Sequence, residues 1–345
     1  MAFLLPDPHS TLRLHLNENT GGCAPAVLAA LRTLDAVEAA AYPNAAPATA
    51  AAERYFGVLE GWVQLTDGLD DGLRAIAEIA RMRPLPAGAT RGEAVIVDPT
   101  FDMYEVYVAG VGLDLVRVPT AADFAFPGDA LIAALTARTR LVYLADPNNP
   151  TGQPMPEGAA ARIASATPEA LVLVDEAYAE FSGHTLIGED LDRHRQLVVG
   201  RTFAKAFGLA GLRVGALIAH PDTLAPLRRS LPPFSVNVCA LIALVAALGD
   251  LDHMRWYVAQ AASSREAIYQ FCRERHLRCW PSEGNFVLVD LGPRAAEVIA
   301  RAASEHVLVS SRAHQRGCAG LVRITAGIVE DTRLGLEALG RALGN

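Results

Sequence analysis

Residues 141–152 read LVYLADPNNPTG, and two later segments follow the same plan, LVLVDEAY at 171–178 and LVVGRTFAK at 197–205. Each segment begins with a continuous apolar run and then changes to polar residues. Such a run is typical of a strand that is buried on both faces, as in a parallel sheet covered by helices. The three segments therefore predict strands of an α/β fold, with polar residues just beyond their carboxyl ends.

The same pattern extends along the chain. From about Trp62 to Ala219, short apolar runs alternate with helix-like segments, as expected for a mainly parallel sheet with helices on both faces. Further strands are predicted at 95–97, 113–118, 214–218, 286–289 and 321–325, and helices at 70–81 and across 238–275. Because 345 residues suit one large and one smaller domain, we predict a large domain over 41–234 and a small domain from 1–40 and 235–345.

The composition excludes several classes of protein. A net charge of −8 without a basic run argues against a nucleic-acid partner, and no apolar run reaches the roughly 18 to 20 residues needed to cross a bilayer. Five cysteines without a C-x-x-C pair and nine histidines without H-E-x-x-H spacing fit neither a disulfide framework nor a metal site. The start, MAFLLPDPHSTLR, lacks a basic region and a long apolar segment, so we expect a cytoplasmic protein.

The residues after the apolar runs carry unusual chemistry. Asn149 follows one run, Asp175 and Tyr178 follow another, and Lys205 follows a third. Ligands of open parallel sheets bind beyond the carboxyl ends of the strands. One crevice is therefore predicted to hold an acid, an amide, a phenol and an amine.

These segments resemble the motifs of the histidinol-phosphate aminotransferase family, which belongs to the fold-type I aminotransferases. DPNNPTG, VDEAYAEF, RTFAKAFGLAGLRVG and VRITAG occur in the family's order, after LHLNEN, AYPN, TDGLDDG and DPTFDMY, over about Leu14 to Ile328. The resemblance implies a mainly parallel seven-stranded sheet of the aspartate-aminotransferase fold plus a smaller α+β domain. It also implies pyridoxal 5'-phosphate as the cofactor and a homodimer with shared active sites.

The chemistry of this cofactor requires the same types of residue. Pyridoxal phosphate is an electron sink only while its pyridine nitrogen is protonated, and a buried carboxylate such as Asp175 holds that proton by charge pairing. Lys205 would bind the cofactor as a Schiff base and later carry a proton, which needs a neutral amine favoured by burial and nearby cations. Alternatively, Asp175 could cap a helix, and Lys205 could be an exposed lysine that only aids solubility.

The resemblance assigns further residues to the cofactor. Asn149 and Tyr178 would donate hydrogen bonds to the ring hydroxyl and Phe101 would stack on the ring, although Asn149 alone could be a turn residue and Phe101 a core residue. A Gly-containing turn that leads into a helix suits the cofactor phosphate, although Asp70 in it is equally good as a helix cap. The predicted phosphate-binding residues are Gly68, Leu69 and Asp70 through their amides, Thr202, Arg213 and Tyr42 of the partner subunit.

Two positions depart from the family pattern. Ala204 stands where the family has a serine before the lysine, so one phosphate-binding hydroxyl is absent. The loss of one hydrogen bond corresponds to about 0.5 to 1.5 kcal/mol of cofactor affinity. Thr20 stands where proline is common, which we interpret as structural drift.

The substrate site is predicted from resemblance and strand geometry. Arg323 of VRITAG matches the family arginine that binds the substrate anion, and Asn19 of LHLNEN is predicted beside it. A second arginine is displaced, because Ser310 occupies its position and Arg312 comes two residues later. Alternate strand residues share a face, so Arg312 is expected to point the same way as Ser310 unless a bulge intervenes.

The leading hypothesis is amino-group transfer from L-histidinol phosphate to 2-oxoglutarate, giving imidazole acetol phosphate and glutamate in ping-pong half-reactions. Aromatic or other amino acids are the nearest alternative donors. A pyridoxal-phosphate decarboxylase or lyase, in which the same electron sink breaks another bond, is a second alternative. The intact set of site residues argues against a non-catalytic binding module, and the lack of a G-x-G-x-x-G after a strand argues against a nicotinamide site.

Overall fold

The computed structural model describes residues 6–344. The first five residues and Asn345, which belong to the predicted small domain, lie outside the described residues. The first five residues are also the beginning of MAFLLPDPHSTLR, the segment from which a cytoplasmic location is expected. Within 6–344, no helix combines the length and the apolar character that crossing a membrane requires.

Eleven strands form two sheets in this part of the chain. In chain order they are β1 Leu12–Leu14, β2 Val63–Asp67, β3 Glu93–Asp98, β4 Asp114–Pro119, β5 Thr139–Ala145, β6 Leu171–Asp175, β7 Leu197–Thr202, β8 Val214–Ala219, β9 Phe286–Asp290, β10 Val307–Ser311 and β11 Leu321–Thr325. The large sheet has the order β2-β8-β7-β6-β5-β3-β4, and the small sheet has the order β1-β10-β11-β9. In the large sheet only β8 runs antiparallel to its neighbours, so the predicted mainly parallel seven-stranded sheet is confirmed.

Fourteen α-helices accompany the strands within residues 6–344. In chain order they are α1 Pro25–Leu31, α2 Ala36–Ala40, α3 Ala46–Phe56, α4 Gly68–Arg81, α5 Met103–Val111, α6 Gly128–Ala134, α7 Ala159–Ala166, α8 Ala179–Ser182, α9 Glu189–Arg193, α10 Pro221–Ser230, α11 Val238–Gly249, α12 Leu251–Glu274, α13 Ala295–Ser304 and α14 Val329–Leu343.

The continuous apolar runs are strands with a core on each face of the large sheet. Successive side chains of a strand point to opposite faces. In β6, accordingly, Val172 and Val174 join one core, whereas Leu171 and Leu173 join the other. A third core, built around β9 and β11, belongs to the small sheet.

The long helical region predicted over 238–275 is confirmed and consists of two helices, α11 and α12. Asp250 separates them, with a non-helical φ of −134° and ψ of 82°. Gly249 ends the first helix, and glycine lowers helix propensity by about 1 kcal/mol relative to alanine. Together with α1, the helix α11 packs on the core of the large sheet.

The topology brings the candidate residues to one edge. Strands β5, β6 and β7 are parallel and end together, and their carboxyl ends lead into Asn149, Asp175 and Lys205. The small sheet meets the same edge, because Arg323 of β11 donates from Nη1 to Oδ1 of Asn149 at 2.6 Å. The predicted crevice thus lies between the two sheets.

Candidate active site

Lys205 lies in the loop between β7 and β8. Its Nζ donates to the carbonyl oxygen of Leu16 at 2.9 Å. Burial of the ammonium group, and then the charge of Arg323, lower the pKa of Lys205 to about 8. The neutral amine, which is the form that attacks an aldehyde or accepts a proton, is therefore accessible near neutral pH.

Asp175 is the last residue of β6 and is 6% exposed. Its carboxylate accepts hydrogen bonds from the hydroxyl of Tyr104 at 2.8 Å and from the backbone N–H of Ala177 at 3.0 Å. Burial raises the pKa of Asp175 to about 6 in spite of these bonds. A capping role does not fit, because the next helix begins at Ala179 and has Tyr178 at its N-cap position.

Tyr178 is buried beside a polar network from the N-terminal segment. Its hydroxyl oxygen accepts from Nδ2 of Asn17 at 2.9 Å, which leaves the phenolic proton available for another acceptor. The Asn17 backbone is anchored in turn, by Oγ1 of Thr325 at 3.1 Å and by Nδ2 of Asn285 at 3.2 Å. Burial raises the pKa of Tyr178, so the phenol stays protonated.

The first turn of α4 forms the expected anion-binding corner. Gly68 has a left-handed φ of +70°, and a Cβ there would collide with the guanidinium of Arg213, so this position requires glycine. Arg213 pairs with Oδ2 of Asp70 at 3.0 Å, and Oδ1 of Asp70 accepts from the hydroxyl of Tyr107 at 3.0 Å. Asp70 is not the helix cap, because α4 begins two residues earlier, with Asp67 at its N-cap position.

Two arginines of the small sheet face the same crevice. Arg323 is 5% exposed, and its Nη2 donates to the carbonyl oxygen of His15 at 2.6 Å. The guanidinium of Arg312, which lies just beyond the end of β10, donates to Oγ of Ser310, so the two side chains lie on the same side. Burial lowers the pKa of both arginines, that of Arg323 to about 10. Among the described residues, the buried Nε of each arginine has no hydrogen-bond partner.

Three further predicted residues surround the crevice. Phe101 is half-buried and meets the ring of Tyr104 edge to face, with ring centroids 5.5 Å apart. The hydroxyl of Thr202 accepts from the backbone N–H of Ala204 at 3.2 Å. Asn19 donates from Nδ2 to the carbonyl oxygen of Ala206 at 3.0 Å and thereby ties the N-terminal segment to the lysine loop.

Tyr42 lies on the surface and is 82% exposed. Its ring stacks on Phe234, with centroids 4.5 Å apart. This exposed position is compatible with the predicted contact to the partner subunit.

Several contributing residues were not singled out from the sequence. Tyr104 hydrogen bonds Asp175, Tyr107 hydrogen bonds Asp70, and Asn17 holds Tyr178. Tyr104 and Asn17 lie in the quoted motifs DPTFDMY and LHLNEN. The motifs therefore marked the right segments, but spacing alone does not reveal which side chains meet across the fold.

The donor set fits pyridoxal phosphate. Asp175 is a buried carboxylate whose hydrogen bonds within the described residues come from neutral donors, so it can still pair with a protonated ring nitrogen. Lys205 supplies an amine of lowered pKa. At the other end, the first turn of α4 and Arg213 offer backbone donors and a positive charge to a phosphate.

Comparison with known proteins identifies the family. The family model described as aminotransferase class I and II matches residues 10–339. A histidinol-phosphate aminotransferase from Ralstonia nicotianae is 37% identical over 343 residues, covering 96% of this chain and 88% of the relative. A crystal structure of histidinol-phosphate aminotransferase from Sinorhizobium meliloti in complex with pyridoxal-5'-phosphate is 28% identical, with a TM-score of 0.84 over 96% of this chain and 90% of the other.

The fold is also that of aspartate aminotransferase. The enzyme from Thermus thermophilus superposes with a TM-score of 0.79 at 21% identity, over 96% of this chain and 92% of the other. The predicted fold class is therefore confirmed. The chain belongs to the class I and II aminotransferases and, within them, to the pyridoxal-phosphate-dependent histidinol-phosphate aminotransferase family.

Proposed function

We propose that this chain transfers the amino group of L-histidinol phosphate to 2-oxoglutarate, giving imidazole acetol phosphate and glutamate in histidine biosynthesis. The observation that carries the proposal is the pair of buried arginines, Arg312 and Arg323, each with an unpartnered Nε donor in the described part of the chain. An unsatisfied buried donor needs an explanation, which a bound ligand can supply. Two adjacent guanidinium groups call for an anionic one.

The electrostatics favour a substrate with a strong anion. Arg323 lowers the pKa of Lys205, and Arg312 contributes to the lowered pKa of Arg323. These cations repel one another in a site where burial also disfavours charge. A phosphate dianion offsets both effects and can accept hydrogen bonds from the two arginines together.

The residues around the cofactor have separate tasks in this proposal. When bound, pyridoxal phosphate supplies an electron sink for the substrate α-carbon. Asp175 would hold the proton of the ring nitrogen, and Lys205 would bind the cofactor and then move a proton through its neutral Nζ. Tyr178 and Asn149 would donate to the ring hydroxyl. Since Oδ1 of Asn149 already accepts from Arg323, its amide protons face elsewhere.

The cofactor phosphate is assigned to the first turn of α4. The backbone amides of Gly68, Leu69 and Asp70 would donate to it, because the unpaired N–H groups and the dipole of a helix N-terminus attract anions. Arg213 and Thr202 would complete the cradle. Phe101 would stack on the ring face of the cofactor, and Asn19 would lie beside the substrate.

We further propose a cytoplasmic homodimer. Tyr42 and Phe234 form an exposed aromatic pair, and Val37, 75% exposed, and Val245, 41% exposed, add apolar surface. A cavity of about 510 Å³ opens there and is lined by Tyr42 and Val245. Exposed apolar surface of this kind is typical of an interface, and Tyr42 of the partner subunit would then reach the cofactor phosphate.

The predicted domain boundaries remain part of the proposal. Residues 41–234 would form the large domain, with 1–40 and 235–345 as the small one. Strand β1 supports this division because it pairs with β10 in the small sheet. Helices α1 and α11 lie against the core of the large sheet and would bridge the two domains.

A panel of amino donors tests the proposed function. Purified holoenzyme is supplied with L-histidinol phosphate, aromatic amino acids or glutamate, and both ketone product and carbon dioxide are measured. The proposal requires the highest kcat/KM for the phosphorylated donor and the formation of ketone. A preference for an aromatic amino acid would instead identify an amino-acid aminotransferase, and carbon dioxide without ketone would identify a decarboxylase.

Lys205→Ala provides the matched test of the assigned lysine. Borohydride treatment of the wild-type holoenzyme should attach the cofactor covalently to the chain, as read by mass spectrometry. The variant should show neither this attachment nor transamination. A variant that still became labelled at the active site, with near-normal turnover, would remove Lys205 from its role.

A further inference from the structure

Asp102, in the loop after β3, contacts the loop between β10 and β11 on the opposite sheet. Its Oδ1 accepts from Nε2 of Gln315 at 2.6 Å, and both carboxylate oxygens lie 3.2 Å from Nε2 of His314. Its Oδ2 also lies 3.4 Å from Nη1 of Arg312. The same Nε2 of Gln315 donates to the carbonyl oxygen of Thr100 at 2.7 Å. The Asp102 carboxylate, on the large-sheet side, therefore contacts three side chains of the small-sheet side.

This contact determines where Arg312 points. Within the described residues the Arg312 guanidinium has two partners, Oγ of Ser310 near the end of β10 and the carboxylate of Asp102 across the crevice. The Arg312 side chain is 14% exposed, whereas that of Asp102 is 46% exposed and lines a cleft of about 630 Å³. The carboxylate thus holds the guanidinium from the solvent side while the arginine faces inward.

We propose that Asp102 is a positioning residue that aims Arg312 at the anionic group of the substrate. The inference rests on the proposed function, because that function assigns Arg312 to the substrate anion. A free arginine side chain loses rotamer freedom when it is fixed, and this loss weakens binding. Asp102 lowers this cost at the moment of substrate binding because it orders the side chain beforehand.

The geometry also explains why Asp102 does not block the site. A contact of 3.4 Å is longer than the roughly 2.7 to 2.9 Å of a strong charge-assisted bond. It involves only Nη1, and the buried Nε of Arg312 has no partner in the described part of the chain. The carboxylate therefore orients the guanidinium and leaves Nε for a substrate oxygen.

The test uses holoenzyme with Asp102→Ala, Asp102→Asn and the control Glu105→Gln. Glu105 lines the same cleft but pairs with Arg117 of the large sheet. For each variant, KM and kcat are measured for L-histidinol phosphate, together with the inhibition constant of inorganic phosphate against the best amino donor. We expect Asp102→Ala to raise KM and the phosphate inhibition constant about tenfold, with kcat changed less than about twofold.

The asparagine variant separates charge from hydrogen bonding. Its amide oxygen can still accept from Gln315, so we expect an effect between those of wild type and Asp102→Ala. Glu105→Gln should leave all constants within about twofold of wild type. No change in either constant for Asp102→Ala would overturn the proposal.

A double-mutant cycle with Arg312→Ala separates aiming from a structural effect. If Asp102 acts through Arg312, adding Asp102→Ala to Arg312→Ala changes neither constant further. An equal fold-change in both backgrounds would show that Asp102 only supports the fold, and would also overturn the proposal. If the enzyme does not use the phosphorylated donor, the proposed function fails, while the same cycle on phosphate inhibition still decides the role of Asp102.

Discussion

The hydroxyl of Tyr104 donates a hydrogen bond to Oδ2 of Asp175 at 2.8 Å, although the two residues lie 71 positions apart in the chain. Tyr104 is fully buried and stacks on Tyr143, with ring centroids 4.7 Å apart and planes within 10°. The carboxylate is thereby fixed by a rigid aromatic pair between α5 and the large sheet. Its direction is set before any cofactor binds.

Tyr104→Phe should lower kcat/KM by about tenfold or more at neutral pH. The variant removes a hydrogen bond to an ionised carboxylate, a contact of roughly 1.5 to 3 kcal/mol, and leaves Asp175 less firmly oriented. Steady-state kinetics at saturating cofactor measures the effect. Tyr143→Phe is the matched control, since its hydroxyl bonds the carbonyl oxygen of Leu73 and not Asp175. Equal losses of activity in the two variants would contradict a specific role for Tyr104.

Asp175→Asn should make the cofactor-free protein more stable at alkaline pH. Burial raises the folded-state pKa of Asp175 to about 6 from its ordinary 3.8. The folded state therefore favours the protonated carboxyl, whose contribution to the free energy of unfolding is fully present below about pH 4. That contribution is lost as the pH rises through about 6. At pH 8 the buried charge then costs on the order of 3 kcal/mol.

Denaturant unfolding of the two apoproteins at pH 4 and pH 8 measures this difference. The variant should unfold at higher denaturant concentration at pH 8, and the gap should shrink at pH 4. A gap that does not depend on pH would mean that the Asp175 charge is not the cause. In the holoenzyme the same variant should lose catalysis, because an amide cannot hold the proton of the ring nitrogen by charge pairing.

The sequence predicted the strands better than the contacts between them. The runs at 141–144, 171–174 and 197–199 are strands because continuous burial leaves a clear apolar signal. The contacts of Tyr104 with Asp175, and of Asp102 with Arg312, join distant segments through side chains of ordinary type. Such pairs leave no periodic signal, so only the folded chain reveals them.

Ala204→Ser should tighten cofactor binding by about twofold to tenfold. The substitution restores the hydroxyl that the family places before the lysine, and one hydrogen bond corresponds to about 0.5 to 1.5 kcal/mol. The backbone N–H of Ala204 already donates to Thr202, so the local conformation is held while the hydroxyl is added. Equilibrium dialysis of pyridoxal phosphate measures the affinity. An unchanged or weaker affinity would mean that residue 204 does not face the phosphate.

The protein should sediment as at least a dimer, and Tyr42→Ala should weaken its hold on the cofactor. The Tyr42 ring is 82% exposed in the single chain, and a partner subunit would bury it against the phosphate site. Sedimentation velocity and cofactor titration measure the two effects. Leu59→Ala is a control, because Leu59 is 75% exposed but lies outside the Tyr42–Phe234 pair. A stable, fully active monomer would refute the shared site.

Arg312→Ala should separate a phosphorylated donor from a plain amino acid. A phosphate dianion needs both Arg312 and Arg323, and each charge-assisted contact contributes roughly 1.5 to 3 kcal/mol. The variant should therefore lower kcat/KM for L-histidinol phosphate by about one to two decades. A single carboxylate is served by Arg323, which is the more deeply buried of the two, so an amino acid that bears only that carboxylate should be affected by less than about threefold. Equal insensitivity of both donors would exclude Arg312 from the anion site and favour an amino-acid aminotransferase.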